Sequence, residues 1–446
     1  MRQLLLIILL LPFTSPAQSF LVKNVNIVTL SAENPILSNQ SILVENGKIQ
    51  SIGSNLEVEA DSIIEGAGKY VLPGLAEMHS HIPNAENGDF SFLEDVMWLY
   101  LANGVTTIRG MIGHPSHLEL KERIKSGQMM GPRIFAAGPS LNGNSVESPQ
   151  HGRQLVHEQA EAGYDHLKIH PGLSMEKFIA IAETAKEKNI MIGGHVPLDV
   201  GLENVILNGF HSVEHLDGYL EAMLPHEDYK NSEKAGPFSM NFSQDADLSK
   251  LPELVKLTRE NNVAVAPTMT LFEHFFGYLP ASELKERAEI KYLPKDQIVK
   301  WAEQKQRLED DGILAEEKVK PFLSLRDQIL MELYEADVLI LLSSDSPQVF
   351  NVPGFATHRE IKSMKNAGMK AVDILKSGSK NVAQYFNQDT FGEIVVGKDA
   401  DFLIVRDNPL EKLETLEELE GLFVGGNYID RERIQSELDR IEEKNK

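Results

Sequence analysis

Eight short apolar runs, each giving way to polar or helix-forming sequence, set the strongest constraint on how this chain of 446 residues folds. In order they are VLPGLAEMHSH, GVTTIRGM, RIFAAG, DHLKIH, IMIGGHV, HSVEH, VAVAPTM and VLILLSSD. Apolar runs alternating with helical stretches argue for repeated βα units on a parallel sheet, and eight such units can close on themselves. The expected fold class is therefore α/β, a (β/α)8 TIM barrel.

The ends of the chain have a different texture. From Phe20 to Tyr70 the pattern is strand-like, and Asn46-Gly47 suits a tight hairpin turn between SILVE and KIQSIG. Strand-like sequence returns in GEIVVGKDADFLIV and EGLFVGGNYID, with Gly425-Gly426 as a turn. Two intervals between barrel strands are long, Leu216 to Asn262 and Thr270 to Asp337, and the second reads as helical, an ordered insertion over the barrel mouth. Residues 431–446 read as a charged, solvated helix.

The first residues place Arg2 before the apolar run Leu4 to Phe13, followed by Ser15-Pro16-Ala17. This pattern predicts a cleaved export signal over residues 1–17, and hence a periplasmic or secreted protein. The apolar run is too short to span a bilayer, which takes about 20 residues, so no membrane span is expected after cleavage. A formal charge of −23 disfavours nucleic acid and anionic lipid as partners. A small-molecule substrate is expected, and a homo-oligomer stays open. With no cysteine in the chain, thiolate metal ligands and disulfides are excluded. Any metal must be held by histidine, carboxylate or a similar donor.

Polar residues sit where the apolar runs end. If Val71 to His81 is one strand, His79 and His81 share its inward face. Lys168 closes the fourth run, His195 the fifth, His215 the sixth and Asp345 the eighth, all on the barrel face where active sites lie. Burying these groups together is unfavourable unless a cation offsets it.

With GVTTIRGM, GPRIFAAG and NVAQYFNQDTFGEIVVGKDADFLIVRDNP, these residues make the chain resemble the amidohydrolase superfamily, in particular metal-dependent members related to imidazolonepropionase and the Xaa-Pro and Xaa-Arg dipeptidases. The resemblance runs from about Phe20 to about Asp430. It implies a small β-sandwich built from residues 18–72 and 387–430 around a barrel of residues 73–386. It also implies two zinc ions per chain. His79, His81 and Asp345 match ligands of one ion, His195 and His215 ligands of the other, and Lys168 the lysine that bridges both as an N-carboxylate. Asp345 matches the catalytic proton carrier.

The implied reaction is hydrolysis of an amide, the substrate being a dipeptide or N-acyl amino acid. A lactone, carbamate or phosphoester would suit the same site. A barrel that only binds is a reading of another class, whose mark would be a missing ligand.

Two departures from the family pattern stand out. Glu77 replaces an aspartate before the first histidine, and EHLDGYLEA places Asp217 and Tyr219 after the sixth run. Tyr219 and His170 lie just beyond strand ends, so each either contacts substrate or packs locally. Arg109 either binds a substrate carboxylate or forms an ion pair that stabilises the barrel mouth. His358 reads as support at a helix start, and the remaining histidines mostly as surface or loop residues.

Overall fold

The computed structural model describes residues 18–31 and 33–446; the expected leader, residues 1–17, lies outside the described residues. Short strands rich in β-branched and small residues carry the architecture. Leu75–Ser80, Val105–Gly110 and Arg133–Ala136 form one parallel sheet, and His166–Ile169, Met191–Gly194, Ser212–Glu214 and Ala264–Ala266 form another. Parallel bridges link the two, Ala137 with His166 on one side and Val265 with Ile340, then Ser346 with Ser80, on the other. The eighth run thus contributes isolated bridges, reinforced by Leu341 N–H to the Val265 carbonyl and Met78 N–H to the Leu342 carbonyl. The fold is α/β of the TIM-barrel type.

The first barrel strand departs from the sequence reading. Val71 to His81 is not one strand: Tyr70–Pro73 belongs to the terminal sheet, and the chain turns at Gly74 into Leu75–Ser80. A Cβ at Gly74 would lie 2.0 Å from Thr106 Oγ1, so only glycine fits there. Alternation also breaks, because pairing with Val105–Gly110 shifts register between Glu77 and Ser80. Met78 joins an apolar cluster with Phe135, Ala264 and Leu341, yet its neighbour His79 also meets residues of other barrel strands.

The two ends of the chain build one eight-stranded mixed sheet. Tyr70–Pro73 lies between Phe20–Val28 and Phe402–Val405, and Gly421–Val424 and Asn427–Asp430 extend it. Asn46-Gly47 and Gly425-Gly426 turn two of its hairpins with positive φ. Arg133 at the barrel base reaches this sheet region through Asp399 (3.0 Å) and Asp401 (2.7 Å). The final helix, Arg431–Asn445, is not simply solvated: it buries Ile434 and Ile441, and Arg440 and Lys444 pair with the buried Asp95. The long second interval is helical, with Lys295–Asp310 and Glu316–Glu335 its main elements. Among the described residues, no helix is long and apolar enough to cross a membrane.

Gly194 permits a close backbone approach within the barrel wall. Its φ is +137°, and a Cβ there would lie 2.2 Å from the Ile169 carbonyl oxygen. Gly194→Ala is expected to destabilise the fold by more than about 2 kcal/mol. Gly127→Ala, at an open position with φ +75°, should cost about 1 kcal/mol. Thermal unfolding of the two variants side by side checks the difference.

Candidate metal centre and active site

Strand ends bring six ionisable side chains together. His79 and Lys168 lie within strands, His81, His195 and His215 follow directly on strands, and Asp345 immediately precedes the bridge residue Ser346. Donor atoms of His79, His81 and Asp345 all lie within 4.8 Å of one another. Asp345 Oδ1 is 3.3 Å from His81 Nε2 and 3.9 Å from His79 Nε2. Lys168 Nζ is 3.2 Å from His79 Nε2. The His215 ring is 4.5 Å from that of His79 and 4.6 Å from that of His195 between centroids, and 3.8 Å separates its Nδ1 from Asp345 Oδ2.

Burial sets the protonation of this cluster. It holds His79, His195 and His215 well below the usual imidazole range and His81 down at about 3, so all four are neutral at pH 7. Neutral imidazole is the form that ligates metals. Burial likewise raises Asp345 and lowers Lys168, disfavouring the charged form of each. Asp345 Oδ1 is buried without a hydrogen-bond partner, despite two imidazole nitrogens close by. An orphaned carboxylate oxygen facing two nitrogen donors fits a metal ion, which would satisfy all three.

Each of three histidines is fixed through its other nitrogen. His79 Nδ1 pairs with Glu214 Oε2 at 2.8 Å, His195 Nδ1 with Asp217 Oδ2 at 2.7 Å, and His215 Nδ1 with Thr268 Oγ1 at 2.8 Å. Occupying Nδ1 leaves Nε2 as the ring atom able to carry a ligand bond, and fixes the ring's orientation. Glu77 explains its own departure from the family pattern. Its carboxylate accepts from the backbone N–H groups of His79 and Ser344 and from the hydroxyls of Ser344 and Thr357, fastening the first barrel strand to the eighth run. Burial still pushes it up to about 7.

Backbone strain gathers here too. His215, Leu216, Thr268 and Asp345 all have positive φ, between 46° and 61°. Arg326, from the Glu316–Glu335 helix, donates to the carbonyls of His215 (2.7 Å) and Pro267 (2.8 Å) while stacking 3.4 Å from the Phe272 ring centroid.

Two expected substrate residues are elsewhere. Tyr219 is buried in the short Tyr219–Met223 helix, where its hydroxyl pairs with Thr258 Oγ1 at 2.6 Å, so it packs helices and does not line the mouth. Arg109 is inside the barrel, not at its mouth, and cannot take a substrate carboxylate. Its guanidinium is spent on the Met78 carbonyl, Ser212, Tyr385 and Glu214. Through Glu214 it orients His79. His170 does stay beside the cluster, its ring 5.0 Å from His195 and its Nδ1 paired with Ser140 at 2.7 Å. His358 is buried in the Phe355–Ala367 helix, and His117, His166 and His274 are buried rather than on surface loops.

Glu214, Thr268 and Arg326 escaped the sequence reading. Glu214 left a signal, a carboxylate two residues from Ser212 in a buried strand. Arg326 left none, since nothing in FLSLRDQIL separates it from a surface arginine.

Residues 70–429 match the sequence profile of the amidohydrolase family. The chain belongs to that family. Matches to curated relatives are local. One is 38% identity over 61 residues to 5'-deoxyadenosine deaminase of Methanosarcina acetivorans, 14% of each chain. Another is 35% over 91 residues to adenine deaminase 2 of Shouchella clausii, 20% of this chain and 15% of that one. The amidohydrolase thus matches only about a seventh of their length. Likeness to solved structures spans the whole fold. Bottromycin amidohydrolase gives a TM-score of 0.73 at 18% identity, with 97% of this chain and 91% of that one covered. A Xaa-Pro dipeptidase with bound methionine in its active site gives 0.66 at 20%, covering 92% and 100%. At such identities the likeness is one of fold.

If Asp217 orients His195 for a metal, Asp217→Ala in this amidohydrolase is expected to weaken metal binding about 10- to 100-fold. Competition against a chromophoric chelator measures it, and unchanged affinity would remove Asp217 from that role.

Proposed function

We propose that this chain is an exported, metal-dependent amidohydrolase that cleaves the amide bond of a dipeptide or N-acyl amino acid. The observation that carries the proposal is the buried, unpartnered Asp345 Oδ1 facing the imidazole nitrogens of His79 and His81. His79, His81 and Asp345 would hold one zinc ion and His195 and His215 a second, with N-carboxylated Lys168 joining them. Metal bound there supplies the Lewis acidity that polarises an amide carbonyl and acidifies water.

The chain's own groups do the rest. Asp345 accepts a proton from the attacking water on a carboxylate oxygen and hands it to the leaving amine nitrogen, a role suited to a carboxyl raised by burial. Burial lowers Lys168 and so enlarges its unprotonated fraction, the form that adds carbon dioxide and turns a cation into an anionic oxygen donor. Glu214, Asp217 and Thr268 keep the imidazoles aligned, and His170 stands where a substrate group would pass. We read the bridged strands as a closed (β/α)8 barrel and the terminal sheet as its β-sandwich. Export rests on the leader pattern, and secreted protein beginning at Gln18 by N-terminal sequencing would bear it out.

The experiment that tests the reaction is a screen of zinc-loaded protein against dipeptide and N-acyl amino acid libraries. Silence with two ions bound would favour a lactone, carbamate or phosphoester, and silence with no tight metal would favour a binding protein. Asp345→Asn is expected to retain the fold, checked by circular dichroism, while kcat falls about 10³-fold or more; near-normal turnover would end its role as proton carrier. Lys168→Ala should reduce metal content from two ions per chain toward one or none by elemental analysis, and unchanged stoichiometry would remove Lys168 from the centre.

A further inference from the structure

The centre is enclosed on one side and open on the other: His79, Lys168 and Asp345 are at most 1% exposed, whereas His81 and His195 are partly exposed. The cavity that touches His215 and Asp217 has a volume of about 20 Å³, too small for more than a water molecule. A substrate side chain has no room there.

Phe238 fills that space. Its ring centroid lies 6.1 Å from that of His215 and 6.4 Å from that of His195. It meets Phe272 edge-on at 4.8 Å and Phe276 at 5.4 Å, and Phe272 packs in turn on Phe322 at 5.7 Å. The other three rings are buried, whereas Phe238 is half-buried. Its backbone is strained: Phe238 (φ 49°, ψ 37°) and Ser239 (φ 56°, ψ 22°) are two consecutive side-chain-bearing residues in left-handed geometry. The aromatic contacts and a 2.5 Å hydrogen bond from Ser239 Oγ to the half-buried Glu221 hold the turn inward.

We propose that Phe238 is a plug occupying a substrate subsite of its own enzyme, and that the group displacing it is an aromatic or large apolar side chain of the amide substrate. This rests on the hydrolase reading above and narrows its substrates to amides of aromatic or large aliphatic amino acids. What the plug satisfies, its replacement must satisfy. A phenyl ring restores the edge-on contacts with Phe272 and Phe276, whereas a charged side chain would give up its hydration against phenylalanine rings. Relief of two left-handed residues offsets part of the lost packing as the turn swings out.

The test is calorimetric titration of the metal-loaded chain with 3-phenylpropionate and with propionate, carboxylates that contain no hydrolysable bond. The phenyl group is expected to raise affinity about 30-fold or more. Removing the plug by Phe238→Ala should tighten 3-phenylpropionate a further tenfold or so, with propionate unchanged within about twofold. Phe238→Leu, which keeps an apolar contact should the alanine variant not fold, should tighten it less but in the same direction. Equal affinity for the two acids, or unchanged or weaker 3-phenylpropionate binding in the folded variants, overturns the proposal. Because neither acid turns over, the two readings fail separately. Tight 3-phenylpropionate binding without any amide hydrolysis keeps the subsite and loses the reaction, while equal hydrolysis of N-acetylglycine and N-acetylphenylalanine keeps the reaction and loses the subsite.

Discussion

The structure depends on one unfavourable act, the burial of four imidazoles, an amine and a carboxyl around a common point. In a low-dielectric interior none of these keeps its charge cheaply. The protein answers by neutralising the imidazoles and anchoring three of them to Glu214, Asp217 and Thr268. One oxygen of Asp345 is left unanswered. Everything around that oxygen is fixed from outside: Glu77 ties His79 to the eighth run, Arg109 braces Glu214, and Arg326 pins the His215 carbonyl.

Much of this was legible in the sequence because position along a strand is itself information. Apolar runs ending in histidine, lysine or aspartate marked both the βα repeat and the residues gathered at one face. Two kinds of error followed from the same logic. A simple period of two made Val71 to His81 one strand, whereas steric crowding at Gly74 and a register shift near Glu77 divide and twist it. Placement just after a strand end made Tyr219 a mouth residue, but a left-handed Gly218 starts a helix that turns it inward onto Thr258.

Arg109 and Arg326 show why supporting residues resist sequence reading. A guanidinium whose donors go to carbonyls, hydroxyls and a buried carboxylate is chemically identical, as a letter, to one waiting for a ligand. What distinguishes them is the count of donors already used, a property of the folded chain alone. The phenylalanine cluster was hidden for a related reason: Phe238 lies in the first long interval and Phe272, Phe276 and Phe322 in the second, and only folding brings them together.

The terminal sheet has a consequence for biogenesis. Tyr70–Pro73 is flanked by a strand near residue 20 and another near residue 400, so the partner it needs on one side is made long after it. Until Phe402–Val405 emerges, that edge stays open to other chains. Completion of the sheet therefore reports that synthesis has passed Phe402–Val405, and a nascent or truncated polypeptide stopped short of it would carry a sticky border where the longer chain has none.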